Sequence, residues 1–122
     1  MSTPIGPYSP VVSVGPWLIT SGQLGLVPAA DGAPPILVEG GAPEQLGQAL
    51  ANAGRLLADH GAGTQDVVKT TVFVTDMATY AAVNEAYVAH FGDHRPARSV
   101  VGVAGLPMGA AVEVEVWAYR AQ

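Results

Sequence analysis

Val67-Val68-Lys69-Thr70-Thr71-Val72-Phe73-Val74-Thr75 is the stretch from which the architecture follows. It is dominated by β-branched residues, which suit a pleated, half-buried surface, and it reads as a strand. Before it, Glu44 to His60 carries Leu46, Ala49, Leu50, Ala53, Leu56 and Leu57 at helical spacing, and Gly61 supplies a stop. Acidic Glu44 near the start of that helix suits its dipole. After it, Asp76 is placed to cap a second helix, with Tyr80, Val83, Tyr87 and Phe91 on one stripe and Gly92 at its end.

Working outward, Val11-Val12-Ser13-Val14 and Trp17-Leu18-Ile19-Thr20-Ser21 flank Gly15-Pro16 and read as two short strands joined by a tight turn. Residues 24–43 are rich in Gly, Pro and Ala and read as a long loop, with a short strand at Ile36-Leu37-Val38. Arg98 to Val103 and Ala111 to Tyr119 are further strands, separated by a turn at Leu106-Pro107-Met108-Gly109. The order β-β-(β)-α-β-α-β-β, without repeat or linker, predicts one α+β domain over residues 1–122, its two helices on one face of a mixed sheet. In the last strand Val112, Val114, Val116 and Ala118 share the face that suits the core. Glu113, Glu115, Trp117 and Tyr119 share the other, and that mixture suits a subunit interface or a lined cleft better than open solvent.

The 122 residues are 49% hydrophobic and only 12% charged, a sparse charged surface that points to an oligomer. A formal net charge of −5 and the lack of any Lys or Arg run argue against a nucleic-acid partner and against an anionic membrane surface. No apolar run approaches the ~18 residues of a membrane span. The segment Met1-Ser2-Thr3-Pro4-Ile5-Gly6-Pro7 lacks the basic and apolar regions of a signal peptide, so a cytoplasmic location is expected. Without cysteine there is no disulfide, thiolate nucleophile or cysteine metal site.

Against that background Arg98, in Pro96-Ala97-Arg98-Ser99, stands out. The chain has five Lys and Arg in all, and this one leads an apolar strand. It either pairs with Glu113 or Glu115, or offers its planar guanidinium to a ligand carboxylate. Glu113 is either a solvated strand residue or a group that orients water and shuttles a proton. Were the two strands antiparallel neighbours, Arg98 and Glu113 would share one pocket. Tyr8, in the proline-bound segment Gly6-Pro7-Tyr8-Ser9-Pro10, walls a pocket or covers a core edge. Ser21-Gly22 closes a strand where backbone can approach a ligand, and Asn84 beside the apolar stripe needs a hydrogen-bond partner. His60, His90 and His94 lack metal-ligand spacing. There is no phosphate-cradling glycine motif and no Gly-x-Ser-x-Gly elbow around Ser9 or Ser21.

As an ordered set, Gly6-Pro7-Tyr8-Ser9, Ser21-Gly22-Gln23, Val68 to Val74, Val83-Asn84 with Tyr87, Pro96-Ala97-Arg98-Ser99, Leu106-Pro107 and Val112-Glu113-Val114-Glu115 resemble the RidA (YjgF) family of reactive intermediate deaminases. The resemblance runs from Gly6 to Ala118. It implies a chorismate-mutase-like fold, a homotrimer around a central β-barrel, and clefts between subunits. It also implies hydrolysis of 2-imino acids, or their 2-aminoacrylate-type enamine tautomers, to 2-keto acids and ammonia, with no cofactor and no metal. By the same resemblance Arg98 binds the substrate carboxylate, Glu113 positions water, and Tyr8, Ser21 and Asn84 line the pocket. Three departures stand out: Val100 where many members carry Cys, Met108 in place of a basic or polar residue, and a longer Pro- and Ala-rich loop from Leu24 to Ala42. A non-catalytic trimeric module binding keto or amino acids, and an endoribonuclease or translation inhibitor, are the alternatives, as is a deaminase dedicated to one larger substrate.

Overall fold

The structure, a computed structural model, describes residues 6–121. Strands β1 (Val11–Val14) and β2 (Trp17–Thr20) form a hairpin in which Val14 opposes Trp17 across Gly15-Pro16. Gly15 has φ +56°, a conformation that a residue without Cβ adopts freely. The loop that follows contains β3 (Leu26–Val27) and β4 (Ile36–Leu37), paired with each other as a separate two-stranded sheet. The second of these matches the strand expected near Ile36. The first was not anticipated, since two residues leave no periodicity to read.

Helix α1 (Ala42–Ala58) starts two residues before the expected Glu44. Pro43 occupies its first turn, and the Glu44 carboxylate accepts a 2.8 Å hydrogen bond from the Gly41 N–H, closing the entry. Its inner face buries Leu46, Ala49, Leu50, Ala53, Leu56 and Leu57, as the spacing requires. Strand β5 (Val67–Val74) follows. The Asp76 side chain then accepts from Ala78 N–H at 2.9 Å and caps a short 3₁₀ turn that runs into α2 (Tyr80–Phe91). Gly92, at φ +64°, ends that helix. Of the apolar stripe on α2, Val83, Tyr87 and Phe91 are buried, whereas Tyr80 is 41% exposed.

Strands β6 (Ala97–Gly102) and β7 (Val112–Tyr119) complete a five-stranded sheet in the order β1-β2-β7-β5-β6. Strand β6 lies parallel to β5, as a strand returning from a crossover helix does. Strand β7 is antiparallel to both β2 and β5 and separates them. The expectation that β6 and β7 are antiparallel neighbours is therefore wrong: β5 lies between them. The β5–α2–β6 crossover sets β6 parallel against one side of β5, which leaves the other side of β5 for β7, and there Val112, Val114, Val116 and Ala118 are all at most 1% exposed. The core gathers these residues with Leu18, Val72, Val74, the inner face of α1, and Val83, Tyr87 and Phe91 of α2.

Both helices cover one face of the sheet. On the other lie Trp17, Lys69, Phe73, Glu113, Glu115, Trp117 and Tyr119, and Val12 and Val14 at 47% and 57% exposure extend it along β1. Trp17 packs edge-on to Trp117 and Tyr119, with ring centroids 5.9 and 5.1 Å away. Among the described residues no helix is long and apolar enough to cross a membrane. Leu50, 1% exposed between α1 and the sheet, tests this packing. Leu50→Ala is expected to lower stability by about 2–5 kcal/mol, read from the urea midpoint.

Candidate active site

Arg98 projects from the helix-covered face at the open edge of β6, in register with Thr70 of β5. Its Nη2 donates to the Tyr80 hydroxyl at 3.3 Å, and its guanidinium carbon lies 5.7 Å from the Tyr80 ring centroid and 4.8 Å from that of Tyr87. Attraction between a cation and an aromatic face contributes about 0.5–2 kcal/mol, more as the pair is desolvated. None of these contacts is with a carboxylate, so the structural ion pair with Glu113 or Glu115 does not form. Asn84, on the same helix between Tyr80 and Tyr87, is half-buried, and its Oδ1 is buried without a hydrogen-bond partner. An acceptor in that state is costly and is ready for a donor.

Glu113 lies elsewhere. Its register partner is Phe73, on the open face of the sheet, so within one protomer β5 and the thickness of the sheet separate it from Arg98. Its carboxyl rests against Gly22: a Cβ there would stand 2.6 Å from Glu113 Cδ and 2.7 Å from Oε2. The lack of a side chain at Gly22 thus leaves room for the Glu113 carboxyl, a neighbour the sequence did not indicate. Burial first, and the like charge of Glu115 second, raise the Glu113 carboxyl above its ordinary pKa. Ser21, next to Gly22, donates its hydroxyl to Ser9 O at 2.6 Å and its N–H to Pro10 O at 2.8 Å. These bonds tie the segment carrying Tyr8 to the end of β2. Tyr8 is 45% exposed, so it does not close a core edge.

The five residues singled out from sequence thus fall into two groups. Arg98 and Asn84 flank α2 at the β6 edge, while Ser21, Glu113 and the Tyr8 segment meet at the junction of β2 and β7. The aromatic pair around Arg98 was not assigned a role in advance. The i, i+7 spacing of Tyr80 and Tyr87, on the helix that feeds the Arg98 strand, was the available signal. The histidines do not converge. His60 Nδ1 contacts Leu56 O, His94 Nε2 contacts Val67 O, and His90 stacks edge-on against Phe91.

Comparison with known proteins gives this geometry a context. The family model described as Endoribonuclease L-PSP matches residues 1–120. The 2-iminobutanoate/2-iminopropanoate deaminase of Mus musculus is 44% identical over 116 residues, covering 95% of this chain and 83% of the mouse protein. The structure of RidA from Psychrobacter sp. PAMC 21119 superposes with a TM-score of 0.88 at 38% identity, covering 96% of this chain and 91% of that one. The chain belongs to the RidA family. Escherichia coli TdcF, solved with bound serine, is also similar, with a TM-score of 0.84 at 34% identity over 97% of this chain and 91% of that one.

The raised pKa of Glu113 has a consequence for stability. The folded RidA chain holds that proton more tightly than the unfolded chain, so the group favours folding below its unfolded pKa. That contribution is lost as pH rises through the folded value. Glu113→Gln is therefore expected to melt at a higher temperature than the wild type at neutral pH. The gain should vanish below about pH 4, where both forms of the wild-type residue are protonated. Melting curves across that range check the sign.

Proposed function

We propose that the chain hydrolyses 2-imino acids and their enamine tautomers to 2-keto acids and ammonia, in pockets formed between copies of a homotrimer. The observation that carries the reading is the state of Arg98. A guanidinium has five N–H donors, and Arg98 spends one of them, on Tyr80. A substrate carboxylate is the partner that fits the remainder, and relatives of this chain bear the name 2-iminobutanoate/2-iminopropanoate deaminase.

In this reading Arg98 holds the carboxylate and so fixes the imine carbon. Glu113 of a neighbouring copy holds water against that carbon. As the water oxygen adds to C=N, Glu113 accepts its proton. That proton passes to nitrogen to complete the carbinolamine; Glu113 then takes the carbinolamine hydroxyl proton and delivers it to nitrogen as the C–N bond breaks, so ammonia leaves as the keto C=O forms. A carboxyl whose pKa is raised above its ordinary value by burial suits both steps. No metal or cofactor is needed, because positioning alone accelerates an addition that is already facile. Tyr8, Ser21 and Asn84 line the pocket. The open sheet face, with Trp17, Trp117 and Tyr119, is the surface on which the copies assemble around a central barrel. The proposal places the protein in the cytoplasm. The word endoribonuclease in the family description finds little support in a chain of formal charge −5, which has few groups to neutralise phosphates.

Arg98→Ala is expected to lose nearly all acceleration of ammonia release from imines made by an amino-acid oxidase, with the trimer intact. Wild-type turnover in that variant would remove Arg98 from the mechanism, and binding of 2-oxobutanoate without any turnover by the wild type would leave only a binding module. The sharing of sites between copies has its own test. Arg98→Ala and Glu113→Ala chains, unfolded, mixed in equal amounts and reassembled, should recover about a quarter of wild-type activity, since a random cyclic assembly reunites intact halves at that frequency. No recovery would place the whole site within one copy. Gly22→Ala is expected to push the Glu113 carboxyl aside and cut turnover about tenfold or more while the trimer persists, a loss that steady-state assays would read directly.

A further inference from the structure

We infer that Tyr87, anchored by Thr70, positions the Arg98 guanidinium for carboxylate recognition. This rests on the reading of Arg98 as the carboxylate clamp and extends it to two residues that touch no substrate.

Arg98 has no salt-bridge partner among the described residues, yet it is half-buried. Something must hold a long, flexible side chain in that state. Its one hydrogen bond, to Tyr80, is long at 3.3 Å and lies at the exposed rim. The nearer support is the Tyr87 ring, 4.8 Å from the guanidinium carbon. That ring is itself fixed. Tyr87 is 5% exposed, its hydroxyl is hydrogen-bonded to Thr70 Oγ1 at 2.8 Å, and it packs on Phe91 with centroids 4.7 Å apart. Thr70 is fully buried and is the register partner of Arg98 on the adjacent strand. Strand β5 thus fixes the ring, and the ring fixes the cation that β6 presents.

The choice of an aromatic support has a chemical consequence. A carboxylate in that position would hold Arg98 as firmly but would neutralise it and consume its paired donors. A neutral ring holds it by its face and leaves charge and donors for the ligand. Burial, the largest influence on Tyr87, raises its pKa further above the neutral range, so the phenol does not become a competing anion.

The test separates positioning from mere packing. Tyr87→Phe and Thr70→Val each free the ring from its anchor while keeping its volume. Each is expected to weaken 2-oxobutanoate binding about threefold, and to raise KM for the imino acid to match with kcat little changed. Because both remove the same bond, Thr70→Val/Tyr87→Phe should be no weaker than either single variant. Tyr87→Leu, which removes the ring face, is expected to weaken binding about tenfold. The carboxylate-specific readout is the preference for 2-oxobutanoate over its uncharged amide, which should fall in step. Folded variants with wild-type affinity, or variants that lose acid and amide binding equally, would overturn the inference. Should Tyr87→Leu fail to fold, the two conservative variants and their combination still decide. Arg98→Ala is assayed alongside. If it is inactive and the Tyr87 and Thr70 variants are unaffected, only the positioning role falls. If Arg98→Ala is active, the carboxylate clamp itself falls.

Discussion

A β-sheet has two faces, and side chains that leave it on opposite faces cannot meet. In this protein that constraint falls on Arg98 and Glu113. They sit in register with Thr70 and Phe73 of the same central strand, three residues apart, and an odd separation sends the register partners to opposite sides. The helices cover one side and leave the other bare. An acid–cation pair that would otherwise be spent as a structural ion pair is kept apart by geometry. Each group stays available, and the pocket proposed above takes one of them from a second copy of the chain.

The bare face supports the same conclusion. It combines aromatic rings, β-branched side chains, two carboxylates and Lys69, the only lysine in the sequence. Lys69 donates to Ser99 Oγ at 3.0 Å, so this charge is tied down within the protomer. Trp117 and Tyr119 are each about two-fifths exposed, at 40% and 44%, on a chain with little charge elsewhere to offset them. Exposed aromatic side chains of that size are unfavourable for a monomer and favour association. Were a second copy to cover this face, the burial that already raises the Glu113 pKa would deepen.

The elements were legible because each carries a local signal. Leucine spacing marks α1, the β-branched run marks β5, and Gly61 and Gly92, at φ +77° and +64°, mark the stops. The sheet order was not legible. Whether β7 pairs with β6 or inserts between β2 and β5 depends on contacts far apart in the chain, and hairpin adjacency was the wrong default here. The error carried into the site. Residues Ser99-Val100-Val101-Gly102-Val103 are apolar without alternation, so nothing local tells which face Arg98 takes. The candidate residues could be named from type and order, whereas their division between two faces came only from the register.

If Arg98 binds a substrate carboxylate, as proposed above, the energetics of binding give a reason for its support by a tyrosine. A guanidinium satisfied by a carboxylate must break that pair to accept a ligand, and the broken pair offsets most of the gain. A guanidinium left loose loses side-chain entropy when the ligand arrives. Support from the Tyr87 ring avoids both costs: the side chain is ordered beforehand, and its charge is not neutralised. The same logic applies to Glu113, whose carboxyl is pressed against Gly22 with no cation beside it among the described residues and has a raised pKa. Two groups, each left without an ion-pair partner among the described residues, stand on opposite faces of one sheet, and the mechanism proposed above brings them together only where one copy meets another.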